Sequence, residues 1–340
     1  MAGSVPAPSA PRNLLTLGAL VFVLATAVLA SLMWGAKAVS VADVVAALAG
    51  TGGQELAADI VASRVSRTIA GVAIGAALAL AGAGLQGLTR NPLGDAGILG
   101  INAGAAFAVV LITSLLGARG IAAASSAAFV GAAAAMALVY VLASVGSQGP
   151  TPLKLALAGA ILAAALSSAT MALLMVSDTA LDDFRFWQVG TLAARSTSEV
   201  LTALALIVPG ALLIASTARA ANAVALGDDM ARALGFRLGV TRAIGGLAVV
   251  LLAGTATALA GPIAFVGLMV PHAMRTLVGS DYRWLLPASA LGGPILLLAA
   301  DTLGRVIAPP SEVQVGIMCA LLGAPLLIVL VRRGIKGTAL

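Results

Sequence analysis

The sequence predicts an all-α fold, a polytopic transmembrane helical bundle of about ten spans with N-in and C-in termini. Three observations predict it. Of 340 residues, 61% are hydrophobic and only 9% are charged, against about 25% charged in an ordinary soluble domain. Apolar runs of about 20 residues, the length that crosses a hydrocarbon core, recur along the whole chain. The basic residues are spread between these runs and form no patch or tail. The net charge of +6 therefore reads as membrane-edge anchoring, and no nucleic-acid partner is expected.

Residues 1–13 are rich in Pro, Ala and Ser and read as a short disordered tail. The run from Leu14 to Trp34 follows Arg12. It is too long for the apolar part of a signal peptide, and many runs follow it, so it is taken as the first span. Further spans are expected near 68–89, 96–117, 121–145, 153–176, 200–218, 243–260, 262–278, 285–300 and 314–331. The stretch from Ala243 to Met274 carries no charge. It is long for one span and short for two, and Gly261-Pro262 is the expected break. Residues 14–333 form one domain and 334–340 a second tail. Ten spans place both termini on one side. With that side cytoplasmic, twelve of the 19 basic residues face inward, as the positive-inside rule requires.

Two connections predict short helices. Ser40-Val41-Ala42-Asp43 has capping-box spacing and opens Val44 to Leu48, with Gly50 just after. This is read as an external helix on the membrane surface. Asp228 to Leu234 is the second, with Asp228 and Asp229 at its start, where the helix dipole favours them, and Gly235 as its stop. Leu226, Met230, Leu234 and Leu238 recur every four residues as one apolar stripe. On the N-in arrangement that stripe is cytoplasmic, and it either packs on the protein's own spans or meets a partner.

Chemistry is scarce. No expected span has an ionisable residue near its centre, which counts against a proton- or sodium-coupled secondary carrier. No phosphate loop of the Gly-x-x-x-x-Gly-Lys-Ser/Thr type occurs, so ATP, if used, binds another chain. Cys319 and His272 are the single cysteine and histidine. Disulfides and clustered metal sites are thereby excluded, and no cofactor is expected. Pro271-His272 reads as a helix end and not as a catalytic centre.

Several stretches together resemble the FecCD-type permeases of iron–siderophore, haem and vitamin B12 ABC importers. They run in order from Leu14 to Arg333. First comes Arg64-Val65-Ser66-Arg67. Gly75-Ala76-Ala77-Leu78 follows, and continues through Ala81-Gly82-Ala83-Gly84-Leu85-Gln86 into Asn91-Pro92-Leu93-Gly94-Asp95. Leu226-Gly227, Ala231 and Leu234-Gly235 form the third stretch. The last comprises Gly261-Pro262-Ile263-Ala264-Phe265-Val266-Gly267-Leu268, Val270-Pro271-His272, Arg275, Asp301, Arg305, Glu312 and Gly323-Ala324-Pro325. Val65-Ser66, Gln314 and Leu326-Leu327 depart from the family pattern.

The resemblance implies a permease dimer, two cytoplasmic ATPase subunits carrying ATP and Mg, an extracytoplasmic binding protein and a large metal chelate as cargo. It assigns ATPase coupling to Leu226, Gly227, Met230, Ala231, Leu234, Gly235 and Leu238. It assigns binding-protein docking to Arg64, Arg67 and Arg305; the alternatives are an Asp301–Arg305 pair at i, i+4 spacing and anchoring of Arg64 and Arg67 to lipid phosphates. It places Ser167, Ser168 and Thr170 near the substrate path, the alternative being hydroxyls bonded back to their own helix. Gly71, Gly75, Ala79, Gly82 and Gly84 allow close helix approach, either within one chain or across the dimer.

Overall fold

The computed structural model describes residues 10–51, 55–92, 94–117, 120–145, 151–193, 195–309 and 311–337. Among them the regular structure is helical throughout. The first helix, α1 (Ala10–Met33), starts inside the segment read as a tail, and residues 1–9 lie outside the described residues. The external helix α2 (Val41–Ala49) forms as expected. Ser40 accepts from the Asp43 amide, and Gly50 closes the helix at φ +64°.

The axis of the bundle is α3 (Glu55–Thr89). It starts thirteen residues before the expected span, because Arg64 and Arg67 enter a polar junction and do not end the helix. In its most apolar window 83% of residues are buried, against 6% for α1. α3 is therefore wrapped by other helices, and α1 is left to lipid. Of the helices that follow, α8 (Thr197–Ser216) packs on α3, while α4 (Ile101–Leu116), α5 (Ile121–Ser144) and α6 (Pro152–Leu174) pack mainly on one another, and the unforeseen α7 (Asp178–Gln188) lies between α6 and α8 in sequence. The cytoplasmic connection of the sequence reading holds α9 (Ala218–Ala225) and α10 (Asp228–Ala233). The next rod is α11 (Leu238–Val249), a π turn (Val250–Gly254) and α12 (Thr255–Ala260).

Next, residues 261–265 are non-helical and lead into α13 (Val266–Val278), followed by α14 (Tyr282–Ile307) and α15 (Val315–Gly337). Seven helices among the described residues are long and apolar enough to cross a membrane. The expected ten is not confirmed by length: α4 and α13 span only about 24 and 20 Å at ~1.5 Å per residue, and α15 is a shorter apolar helix over Val315–Pro325. The chain does break at Gly261-Pro262, where Gly261 has φ +77° and Phe265 φ +70°. The second half of that stretch is thus a 13-residue helix with a non-helical lead. Such backbone survives at membrane depth only when the protein itself surrounds it. Here the Ala260 carbonyl accepts from the Thr191 amide, and Pro262 lies over Gly190.

Pro271 sits inside α13 and does not end it, as Pro271-His272 had suggested. A proline leaves the carbonyl four residues earlier without its helical donor. That residue is Gly267, and its carbonyl accepts instead from Gln86 Nε2 at 3.0 Å. The helix persists because α3 supplies the missing hydrogen bond. The same crossing needs Gly82, since a Cβ there would lie 2.0 Å from Gly267 O. Higher up, a Cβ on Gly293 of α14 would lie 2.0 Å from Gly75 O. Gly71 meets Leu298, and Gly84 meets Ile214. The small residues of α3 therefore serve packing within the chain. The final helix extends through Gly337, past the expected start of the tail, and residues 338–340 lie outside the described residues.

Candidate functional site: a buried arginine cluster and an exposed ledge

Gly82 and Gln86 lie near one end of α3, Arg64 and Arg67 near the other. Nineteen residues separate Arg67 from Gln86, roughly 30 Å of helix, which matches a hydrocarbon core. The two ends carry different chemistry.

At the Arg64 end, the C-terminal parts of α1 and α14 meet the first turns of α3. Arg64 is buried and caps α1: Nη1 donates to Leu32 O and Met33 O at 2.9 Å, and Nη2 donates to Lys37 O. These are orphan carbonyls of a helix end, the groups that an arginine fork satisfies. Arg67 donates from Nε and Nη2 to Asp301 at 2.8–3.0 Å, and from Nη1 to Glu312 at 2.7 Å. Arg305 is 2% exposed. Its Nη2 donates to Ser31 and Thr302, and its Nε lies 3.2 Å from Asp301 Oδ2 without hydrogen-bond alignment. The local Asp301–Arg305 pair is therefore present.

The structure brings the three expected arginines together, but Arg64 and Arg305 point their forks into the protein. They offer no free fork to an outside carboxylate; Arg67, beside the partly exposed Glu312, is nearest the surface. Lys37, Arg64, Arg67, Arg195 and Arg305 line one cavity of about 330 Å³. On the N-in arrangement all five fall in outer connections or at outer span ends, so that grouping is coherent in space. Arg195 belongs to the loop after α7, and burial lowers its guanidinium from the usual range. Sequence reasoning gave no role to Arg195 or α7. The signal available was Ser177 before Asp178, an N-cap that the structure uses.

At the other end, Arg90 closes α3 at φ +50°, and Asp228 sits between Arg90 (3.4 Å) and Arg242 (2.8 Å). Gly227 and Gly235, at φ +114° and +86°, turn the chain into and out of α10. Leu226, Met230 and Leu234 are 70%, 52% and 58% exposed, an apolar ledge on α10 and the residues flanking it. Leu238 departs from the expected stripe. Gly235 breaks the helix before it, and Leu238 packs inward with Ala223, Val224 and Ala231. The ledge is fixed to the bundle behind it. Asn222 of α9 donates to Asp281 Oδ1 at 2.7 Å and accepts from the Tyr282 amide at 2.9 Å. Arg275 donates to Gln86 Oε1 at 2.6 Å and to Tyr282 Oη at 3.1 Å.

On α6, Ser167 and Ser168 are exposed and Thr170 is buried. Ser168 and Thr170 donate back to Ala164 O and Leu166 O, the local alternative of the sequence reading. Thr170 therefore lines no open path in this conformation. Among the described residues no group of three His, Cys, Asp or Glu could hold a metal ion.

A many-helix membrane bundle with one end cross-linked by charge and the other presenting an apolar ledge is a multi-pass transport-type fold. The chain belongs to the FecCD transport family, whose pattern it matches over residues 23–333. It is 45% identical to the ferric enterobactin transport system permease protein FepD of Escherichia coli K12, over 94% of this chain and 95% of that one. It is 41% identical to a siderophore transport system permease, YfiZ of Bacillus subtilis 168, over 93% and 95%. Among solved structures, a metal-chelate type ABC transporter in an inward-facing conformation superimposes with TM-score 0.82. That match has 28% identity and covers 94% of this chain and 99% of the other.

Proposed function

We propose that this chain is the membrane-spanning permease subunit of a binding-protein-dependent ABC importer in the bacterial cytoplasmic membrane. Its cargo is a ferric siderophore or a similarly large metal chelate, with haem and cobalamin as the alternative cargoes. ATP and Mg belong to two separate ATPase subunits, and two permease copies or related chains build the translocation path. The observation that carries this reading is the ledge of Leu226, Met230 and Leu234. It is apolar, exposed and backed by polar bonds, in a chain that has no phosphate loop of its own. Buried apolar anchors of this kind supply most interface energy. The family membership and the two siderophore permeases support the cargo.

The arginine end is the proposed landing face for the binding protein. Burial moves the expected contact from Arg64 and Arg305 to the rim, where Arg67, Lys37 and Arg195 stand. Ser167 remains the path-facing candidate on α6.

The test is Met230→Asp in a strain lacking the native permease. The variant should insert normally, fail to co-purify with the ATPase and lose ferric-siderophore uptake. Normal co-purification and uptake would overturn the coupling assignment. Uptake by the purified chain alone in vesicles without ATP would instead establish a secondary carrier.

A further inference from the structure

The cavity at the arginine end holds more positive charge than the protein around it neutralises. Five cations line it, Lys37, Arg64, Arg67, Arg195 and Arg305. The acids there are Glu312, on its wall, and Asp301, behind Arg67. Arg67 takes both of them, and Arg305 Nε also lies against Asp301. Glu199, which also acts on Arg195, is spent on the N-cap of α8. Arg305 Nη1 and Arg195 Nε are buried with no hydrogen-bond partner. An unpaired buried donor on a charged group is costly, and a cluster of like charges in low dielectric adds to the cost.

The unpaired donor has a direction. A Cβ built on Gly35 would lie 2.7 Å from Arg64 Nη2 and 3.4 Å from Arg305 Nη1. Two guanidiniums therefore converge over Gly35, just past the end of α1, and leave no room there for a side chain. Water could satisfy the donors there but not the charge. We propose that the cavity is a site for one small inorganic anion, held between Arg305 and Arg64 with Arg195 and Lys37 closing over it. The bound ion ties the ends of α1, α3 and α14 and the loop after α7 into one unit. A cavity of about 330 Å³ accepts an ion the size of chloride or sulfate with residual water. The inference stands independently of whether a binding protein lands on the same face.

The full-length chain, purified and placed in nanodiscs of phosphatidylcholine, tests it. Ionic strength is held constant with sodium gluconate, a bulky anion, and sodium sulfate or chloride is titrated in. Thermal unfolding is followed by tryptophan fluorescence. A ligand that binds only the folded state raises the midpoint along a saturation curve. Gly35→Ala pushes a methyl against Arg64 Nη2 and Arg305 Nη1 without removing charge, and Arg195→Ala and Lys37→Ala remove the closing cations without touching a helix cap. In these variants half-saturation should move up roughly tenfold or more. Arg219→Ala, outside the cavity, should titrate like wild type. If Gly35→Ala does not fold, the two rim variants carry the test. Sulfate and chloride acting no differently from gluconate, or all variants titrating alike, would overturn the site. So would a tightly held anionic lipid found by mass spectrometry on the wild type and lost from Arg195→Ala. No arm uses a binding protein, so failure here leaves the docking reading untouched.

Discussion

The two ends of α3 organise polarity in opposite ways. At the arginine end, the charged side chains are drawn inside. Asp301 is 1% exposed and bridges Arg67 and Arg305, while Arg64 closes α1. At the other end, the charges stay near the surface and the apolar side chains are pushed out. Met230 and Leu234 are exposed, while Asp228 and Asp281 brace the turns around them. A buried ion network is costly to perturb and fixes geometry. An exposed apolar ledge costs little to perturb in the free chain but needs a partner. The difference teaches that the first end is cross-linked within the chain, the unpaired donors of Arg305 and Arg195 apart, whereas the ledge at the second end is left bare.

The strongest way to break this comparison is Asp301→Ala. It leaves Arg67 and Arg305 buried without their carboxylate, and removal of one partner from a buried pair typically costs about 3–5 kcal/mol. Denaturant unfolding in detergent micelles should show a loss of that order. Met230→Asp, on the ledge, should fall within about 0.5 kcal/mol of wild type in the same assay, as surface substitutions do. Equal losses in the two variants would erase the distinction between the ends.

What the sequence reveals follows the same divide between local and non-local chemistry. The external helix was legible because Ser40, Asp43 and Gly50 are its own cap. The break at Gly261-Pro262 was legible because glycine and proline act where they stand. The outer start of α3 was not, because the groups that accept Arg64 and Arg67 belong to α1 and α14. Their charges looked like the edge of a span, and on that ground the arginines were read as surface residues. The stripe from Leu226 to Leu234 was visible as a period of four. Leu238 was assigned to it wrongly because the period was carried across Gly235, where the helix stops. Pro271 gave a correct local signal with the wrong outcome, since its remedy, Gln86, is 185 residues away.

Gln86 sharpens the comparison from inside the ledge end of the bundle. Its Nε2 donates to Gly267 O and its Oε1 accepts from Arg275. Gln86→Leu keeps the volume but strands a buried carbonyl and one side of a guanidinium. The buried carbonyl costs about 1–3 kcal/mol, while the partly exposed Arg275 keeps Tyr282 and reaches water, so the variant should lose somewhat less than Asp301→Ala. Hydrogen exchange should also rise within α13 more than in α5. Uniform exchange across the two helices would show that Gln86 does not hold α13 around Pro271.

The smallest expected effect separates the ends by pH. Asp281 caps α14 and receives Arg283, its amide and Asn222. The Arg283 side chain contributes most, and together these bonds hold the carboxyl at about 2, below the usual 3.8. A carboxyl whose folded value is depressed contributes stability above its unfolded value, and that contribution is lost as pH falls through the folded value. The window therefore lies between about pH 4 and pH 2. Asp281 is largely solvated, so screening keeps the effect small. Asp281→Asn retains an acceptor for Asn222 but carries no charge to titrate. Its melting midpoint at pH 7 should lie slightly below wild type, and the two curves should converge as the acid is lowered toward pH 2. Local hydrogen exchange at Ala220–Val224 should follow the same convergence, because Asn222 ties that helix to Asp281. Parallel curves at every pH would show that the Asp281 charge does not brace the ledge.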